Sequence, residues 1–287
     1  MFRTEPWADE KDWQLRLEVE DPDPERPDLR GSGVATLVLD RPAKLNAWSW
    51  EASRQLGRVA ERIRFDDRIR ALVVRGEGRA FCAGVDLGLP EDRITGRSAA
   101  ERSRNFTEGL RWVHEQFRVF AGLPQPVVAA VHGYCLGFGF ELALMCDIRI
   151  AAADAVFALP EAQIGVAIDA GGEMRLAREA GSGWAKLLAL TGRRIDAATA
   201  ERIGVVQQVV APDALLETAY ALAAEIAGNA PLAVQAIKRS VDAYADRGMA
   251  EAMGQTALLA ATTFISEDAP RGYAAKAAKR AADFEGK

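Results

Sequence analysis

The fold is read from Val127-Val128-Ala129-Ala130-Val131-His132-Gly133-Tyr134-Cys135-Leu136-Gly137-Phe138-Gly139-Phe140-Glu141-Leu142-Ala143-Leu144-Met145. Its first five residues are a short apolar, β-branched run, which predicts a buried strand. Glycines at 133, 137 and 139 follow, and a helix of about ten residues is expected to begin among them. Leu136–Met145 is apolar or glycine except for Glu141. A carboxyl there loses water, which raises its pKa and is costly unless it is paired or used. The plainer alternative is a glutamate reaching the surface from a helix end. The glycines alone need mean only close helix–strand packing. The spacing is not a P-loop, since no GK[ST] follows, and G-x-G-x-x-G is absent.

Outward from this stretch, strands and helices alternate. Strands are expected at Val34–Leu39, Ala71–Val74, Asp147–Ala151 and Val156–Leu159. Helical patterns cover about 48–64 and 98–121. From about residue 171 the chain reads as almost wholly helical and alanine-rich, apart from Val205–Val210. This order predicts an α/β fold with a mixed or parallel sheet, followed by helices. Three parts are expected: an N-terminal extension over 1–30, a core over 31–205 and a helical region over 206–287. Asp21-Pro22-Asp23-Pro24-Glu25-Arg26-Pro27 is too proline-rich for a helix or central strand and is expected to be a loop or tether.

Composition narrows the function. The 287 residues are 49% hydrophobic and 27% charged, with a net charge of −5. That sustains a sizeable core and argues against a nucleic-acid partner, which calls for a basic surplus. No apolar run approaches the roughly 18 residues of a membrane span, and residues 1–30 carry no signal-peptide pattern. Cys82, Cys135 and Cys146 form no CxxC pair, consistent with free thiols, a reducing compartment and no structural zinc. With only His114 and His132 present, carboxylates are the expected source of acid–base chemistry.

Two further segments carry candidate chemistry. One is Ala80-Phe81-Cys82-Ala83-Gly84-Val85-Asp86-Leu87, read as a loop. The other is Leu159-Pro160-Glu161-Ala162-Gln163-Ile164-Gly165, continuing to Asp169-Ala170-Gly171-Gly172. Glu161 follows an apolar strand and is a second carboxylate to set beside Glu141.

Taken in order, these motifs resemble the crotonase superfamily, also called the enoyl-CoA hydratase/isomerase family, over roughly residues 33–284. Arg41-Pro42-Ala43-Lys44-Leu45-Asn46-Ala47 matches near the start. Phe264-Ile265-Ser266-Glu267-Asp268, Gly272, Lys279-Arg280 and Phe284 match near the end. The resemblance implies a ββα spiral core and a helical C-terminal trimerisation region, in a homotrimer or a hexamer built as a dimer of trimers. It implies an acyl-CoA thioester substrate, a cytoplasmic setting, and no metal, flavin or nicotinamide; CoA enters as part of the substrate. No nucleic-acid or membrane partner is implied.

The same resemblance assigns the site residues. The backbone N–H groups of Val85 and Phe138 would form an oxyanion hole for the thioester oxygen. Glu141 and Glu161 would bind and deprotonate water for addition to C3 of a 2-enoyl-CoA, and supply the proton to C2. Lys44, Ala47, Ala80, Ala83, Asp86, Leu87, Gly137 and Lys279 would contact the CoA ester. Phe138 stands where many members have glycine, so its bulk is expected to reshape the acyl pocket. Lys276 stands where phenylalanine is usual. Asp169 has two readings: a third acid, as in the dienoyl-CoA isomerases, or the N-cap of the following helix. His114 falls near a histidine of the dehalogenase branch, but that branch has an aromatic residue in place of Glu161. His114 is therefore expected to be a structural residue on an apolar helix face, and His132 is given no chemical role. Beside hydration stand two alternatives: dienoyl-CoA isomerisation through Glu141, Glu161 and Asp169, and acyl-CoA binding without catalysis.

Overall fold

A computed structural model describes residues 13–19, 32–88 and 95–287. Along the chain run β1 (Leu15–Val19), β2 (Val34–Leu39), α1 (Trp50–Arg64), β3 (Ala71–Gly76), β4 (Ala80–Cys82), α2 (Ala99–Ala121), β5 (Val127–Val131), β6 (Tyr134–Leu136) and α3 (Phe138–Met145). Then come β7 (Ile148–Ala152), β8 (Val156–Ala158), α4 (Gly172–Thr191), β9 (Ile195–Asp196), α5 (Ala197–Arg202), β10 (Gln208–Val210), α6 (Leu215–Ala227), α7 (Pro231–Arg247), α8 (Met249–Phe264) and α9 (Asp268–Ala277).

Local chemistry explains the main boundaries. Ser49 caps α1 by accepting from the Ala52 N–H, and Ser98 caps α2 by accepting from the Glu101 N–H. α1 buries Ala52, Leu56, Val59, Ala60 and Ile63, a stripe at helical spacing. α3 is buried all round, as its sequence, apolar or glycine except for Glu141, demands.

Two sheets organise the core. One has six strands in the order β1-β2-β3-β5-β7-β10; the other has four, β4-β6-β8-β9. The repeating unit is strand, strand, helix: β3-β4-α2, β5-β6-α3 and β7-β8-α4. Each unit places its first strand in the large sheet and its second in the small one. This is the ββα spiral. β4, β6 and β8 lie side by side and parallel, with Cys82 paired to Cys135 and Cys135 to Phe157. The segments leaving those three strands therefore emerge at one edge. One face of the large sheet packs on α6 through Leu215, Ala219, Ala223 and Ala227. The other contributes to the main core with α1, α3 and α4.

The structure departs from the sequence reading in places. Leu15–Val19, expected within the extension, pairs antiparallel with Val19↔Ala35 through Leu15↔Leu39. Its alternating Leu15, Leu17 and Val19 explain the strand. The loop or tether expected at 21–27 lies outside the described residues. Ala80–Cys82 is a strand rather than part of a loop, and the strand expected from Val205 begins at Gln208. α3 has eight residues. No helix among the described residues is long and apolar enough to cross a membrane.

Candidate active site

Each of the three parallel strands of the small sheet is followed by one part of the site. Val85 follows β4, Phe138 and Glu141 follow β6, and Glu161 follows β8. Beyond the carboxyl ends of adjacent parallel strands is where open α/β sheets bind ligands. A cleft of about 2130 Å³ opens there, with Ala83, Gly84, Val85, Gly137, Glu141, Glu161 and Asp169 in its wall.

The two bends abut. A Cβ on Gly137 would lie 3.7 Å from the Gly84 Cα, and both glycines have positive φ, +100° at Gly84 and +52° at Gly137. A β-carbon would be strained at either position. The peptide planes of both bends are aimed by their carbonyls. Gly84 O accepts from the Trp48 N–H at 2.7 Å, and Gly137 O accepts from the Phe140 and Glu141 N–H groups at 2.9 and 3.0 Å. In a trans peptide the N–H points opposite to its C=O. The N–H groups of Val85 and Phe138 are thus turned away from these partners, and neither has a hydrogen-bond acceptor among the described residues. Phe138 is the first residue of α3, so its N–H also carries the positive end of that helix dipole.

The Phe138 ring corrects an expectation. It is 3% exposed, with centroids 4.5 Å from Trp48 and 4.9 Å from Phe117, and it is not among the residues of the cleft wall. Its bulk fills the core, and the cleft is lined by its neighbour Gly137.

Glu141 is 2% exposed. Its Oε1 accepts from the Ala170 N–H at 3.0 Å and the Gly172 N–H at 2.8 Å, at the start of α4. Burial pushes its pKa up to about 8, against the lowering effect of those amides; Glu161 and Asp169 add like-charge repulsion. Glu161 starts a short 3₁₀ helix, Glu161–Ile164. Its carboxyl lies against Gly137, where a Cβ would meet Oε1 at 2.8 Å. Its Oε2 is buried with no hydrogen-bond partner among the described residues. Burial raises its pKa too, with Asp169 and Glu173 contributing.

Asp169 does not cap α4. The N-cap is Gly171, and the helix-start amides are taken by Glu141. Asp169 instead faces the cleft, with its pKa raised by burial and lowered in part by His114. His114 is exposed rather than packed on an apolar face; its Nε2 lies 2.5 Å from the Asp169 carbonyl oxygen, and it lines the cleft. The sequence reading missed this pairing, and also Arg175, which lines the cleft and donates to Ala170 O at 3.0 Å.

The remaining candidates are scattered. Ala83, Leu87 and Gly137 line the cleft. Ala80 is fully buried, and its carbonyl accepts from Asn46 Nδ2. The Asp86 carboxylate is held by Arg41 at 2.7 Å. Lys44 is exposed on a 3₁₀ turn, and Ala47 half-buried beside it. Lys279 is exposed after α9, with φ +50°, as is Lys276 at the end of that helix.

With the geometry established, comparison with known proteins gives a consistent answer. A family model described as enoyl-CoA hydratase/isomerase matches residues 30–287. The chain is 36% identical over 240 residues to a mitochondrial Delta(3,5)-Delta(2,4)-dienoyl-CoA isomerase of Dictyostelium discoideum, covering 82% of each chain. It is 36% identical over 262 residues to a 2,3-dehydroadipyl-CoA hydratase of Escherichia coli, covering 90% of this chain and 97% of the relative. Among solved structures, an enoyl-CoA hydratase from Bacillus anthracis superposes with a TM-score of 0.82 at 31% identity, covering 96% of this chain and all of that one.

Proposed function

The chain belongs to the enoyl-CoA hydratase/isomerase family, and we propose that it is an enzyme of that family that adds water across the C2–C3 double bond of a 2-enoyl-CoA thioester. The observation that carries this reading is the placement of Glu141 and Glu161 in one cleft beside two backbone N–H groups without acceptors. The thioester oxygen lies between the N–H groups of Val85 and Phe138. As water adds at C3, electrons shift through C2 onto that oxygen, and the two dipoles stabilise the enolate. One such donor contributes about 3–4 kcal/mol in measured oxyanion holes.

The carboxyl pair manages the protons. Water gives one proton up as its oxygen bonds to C3, and C2 receives one. Burial raises both carboxyls, Glu141 to about 8, so the pair holds a proton near neutral pH. The two titrate together and share the reacting water. CoA enters as part of the substrate, with the exposed Lys44 and Lys279 offering charge to its phosphates. The apolar residues exposed on α7–α9, among them Ile237, Val241, Leu258 and Phe264, support assembly into a trimer or hexamer, which sedimentation would read directly.

Asp169 supports a second reading, dienoyl-CoA isomerisation, because it faces the cleft and does not serve as the cap of α4. A third carboxyl would carry a proton along a conjugated acyl chain with no water added. Turnover of enoyl- and dienoyl-CoA esters in ¹⁸O-labelled water separates the two. Label in the product, with Asp169→Asn active, supports hydration. Double-bond migration without label, abolished by Asp169→Asn, replaces it with isomerisation.

A further inference from the structure

Arg41 begins a relay of two peptide groups that ends at the first bend. Its Nη1 donates to Ala47 O at 3.2 Å. The same peptide unit carries the Trp48 N–H, which donates to Gly84 O at 2.7 Å. That second unit carries the Val85 N–H, which faces the opposite way. The same Nη1 also donates to Asp86 Oδ2 at 2.7 Å, and Asp86 Oδ1 accepts from the Gly88 N–H at 3.0 Å. The Asp86 N–H donates to Trp48 O at 2.9 Å, so Val85 is bracketed on both sides. The Asp86 side chain is 9% exposed and that of Arg41 28%. One guanidinium thus grips both the turn at 47–48 and the residue after Val85. The turn itself is pinned: Asn46 Oδ1 accepts from the Arg41 N–H, and Asn46 Nδ2 donates to Glu77, Ala80 and Phe81 carbonyls.

We propose that Arg41 and Asp86 are positioning residues for the reaction: their ion pair fixes the direction of the Val85 N–H toward the thioester oxygen. This rests on the oxyanion-hole reading above. Neither residue is among those that line the cleft. Their contribution is orientation, and a displacement of about 1 Å at a reacting centre costs up to about 100-fold in rate. Both bonds leave one guanidinium nitrogen, whose two N–H directions are fixed in the plane of the group, whereas the donors of a lysine ammonium rotate on a flexible stem and orient neither acceptor.

The test uses Arg41→Gln, Asp86→Asn and their double variant in the full chain, with Arg41→Lys as the conservative control. The direct readout is the absorption of bound 4-(dimethylamino)cinnamoyl-CoA, a chromophoric enoyl ester whose band moves to the red when its carbonyl is polarised. Arg41→Gln and Asp86→Asn should each lower kcat about 10- to 100-fold with KM changed less than about 3-fold, and lose most of the red shift. The double variant should be no worse than the poorer single one. Arg41→Lys should recover part of both the rate and the shift. A full red shift in folded Arg41→Gln, whatever its Tm, would overturn the proposal, leaving the pair a structural tie only. If Asp86→Asn fails to fold, Arg41→Lys and Arg41→Gln decide by the same shift. No red shift in the wild-type protein would instead overturn the oxyanion-hole reading on which the proposal stands.

Discussion

Glu141 and Glu161 are the same side chain in two surroundings. Glu141 sits in a helix that is buried all round, and one of its oxygens is spoken for by two amides of α4. Glu161 sits on a short turn at the cleft wall, half-buried, with Oε2 lacking any partner among the described residues. The first is fixed and hard to ionise; the second has an oxygen to spare for a bound molecule. A single-proton pair does not need two kinds of residue, only two depths of burial.

The largest effect that would break this comparison is loss of turnover. Glu141→Gln and Glu161→Gln should each lower kcat by about 10²- to 10⁴-fold, read from the absorbance of a 2-enoyl-CoA. Equal activity in either variant would remove that carboxyl from the chemistry. Next in size is a change that moves Glu141 without altering it. A Cβ at Gly172 would meet the Glu141 Cγ at 2.5 Å, whereas a Cβ at Gly183, also in α4, meets nothing within 4 Å. Gly172→Ala should cost about 10- to 100-fold in kcat. Gly183→Ala should leave kcat alone and raise stability by about 0.5–1 kcal/mol, measured by urea unfolding.

A pH profile sharpens the comparison further. Glu141 is raised to about 8, so kcat/KM should fall as pH rises through that value and the pair loses its proton. Glu161→Gln should keep the alkaline limb in its residual activity, and Glu141→Gln should lose it.

Stability gives the smallest effect. The folded state binds a proton at Glu141 up to pH about 8, and the unfolded chain only up to its ordinary 4.5. Wild-type stability should therefore fall between those two values as pH rises. Glu141→Gln keeps an acceptor for the Ala170 and Gly172 amides and never ionises. Its Tm should exceed the wild-type Tm by several degrees at pH 9 and by little at pH 4, as followed by thermal unfolding.

Much of this architecture was legible because its signals are local. Val34–Leu39, Val127–Val131 and the long α2 announce themselves by β-branched runs, helical spacing and a serine cap. Glu141 stood out as one acid in an apolar run. What stayed hidden depends on residues far apart in the chain. The amides that hold Glu141 come 29 and 31 residues later. The Arg41–Asp86 pair spans 45. Of the two readings of Asp169, third acid or helix cap, the cap fell away because the helix-start amide was already taken by a side chain from another turn of the spiral. The bulk of Phe138 suggested a reshaped acyl pocket, since sequence names a side chain without saying on which side of the backbone it lies.

Cys82, Cys135 and Phe157, aligned across β4, β6 and β8, are all fully buried beneath the strand ends that carry the site. They pack the small sheet against the main core. Backbone hydrogen bonds fix the strand spacing, so a larger or smaller side chain in that row would change how the sheet sits on the core, and with it the setting of two dipoles and two acids that never contact the altered residue. Reactivity in this molecule can thus be retuned from underneath, by packing volume alone, while every group that meets the thioester keeps its identity.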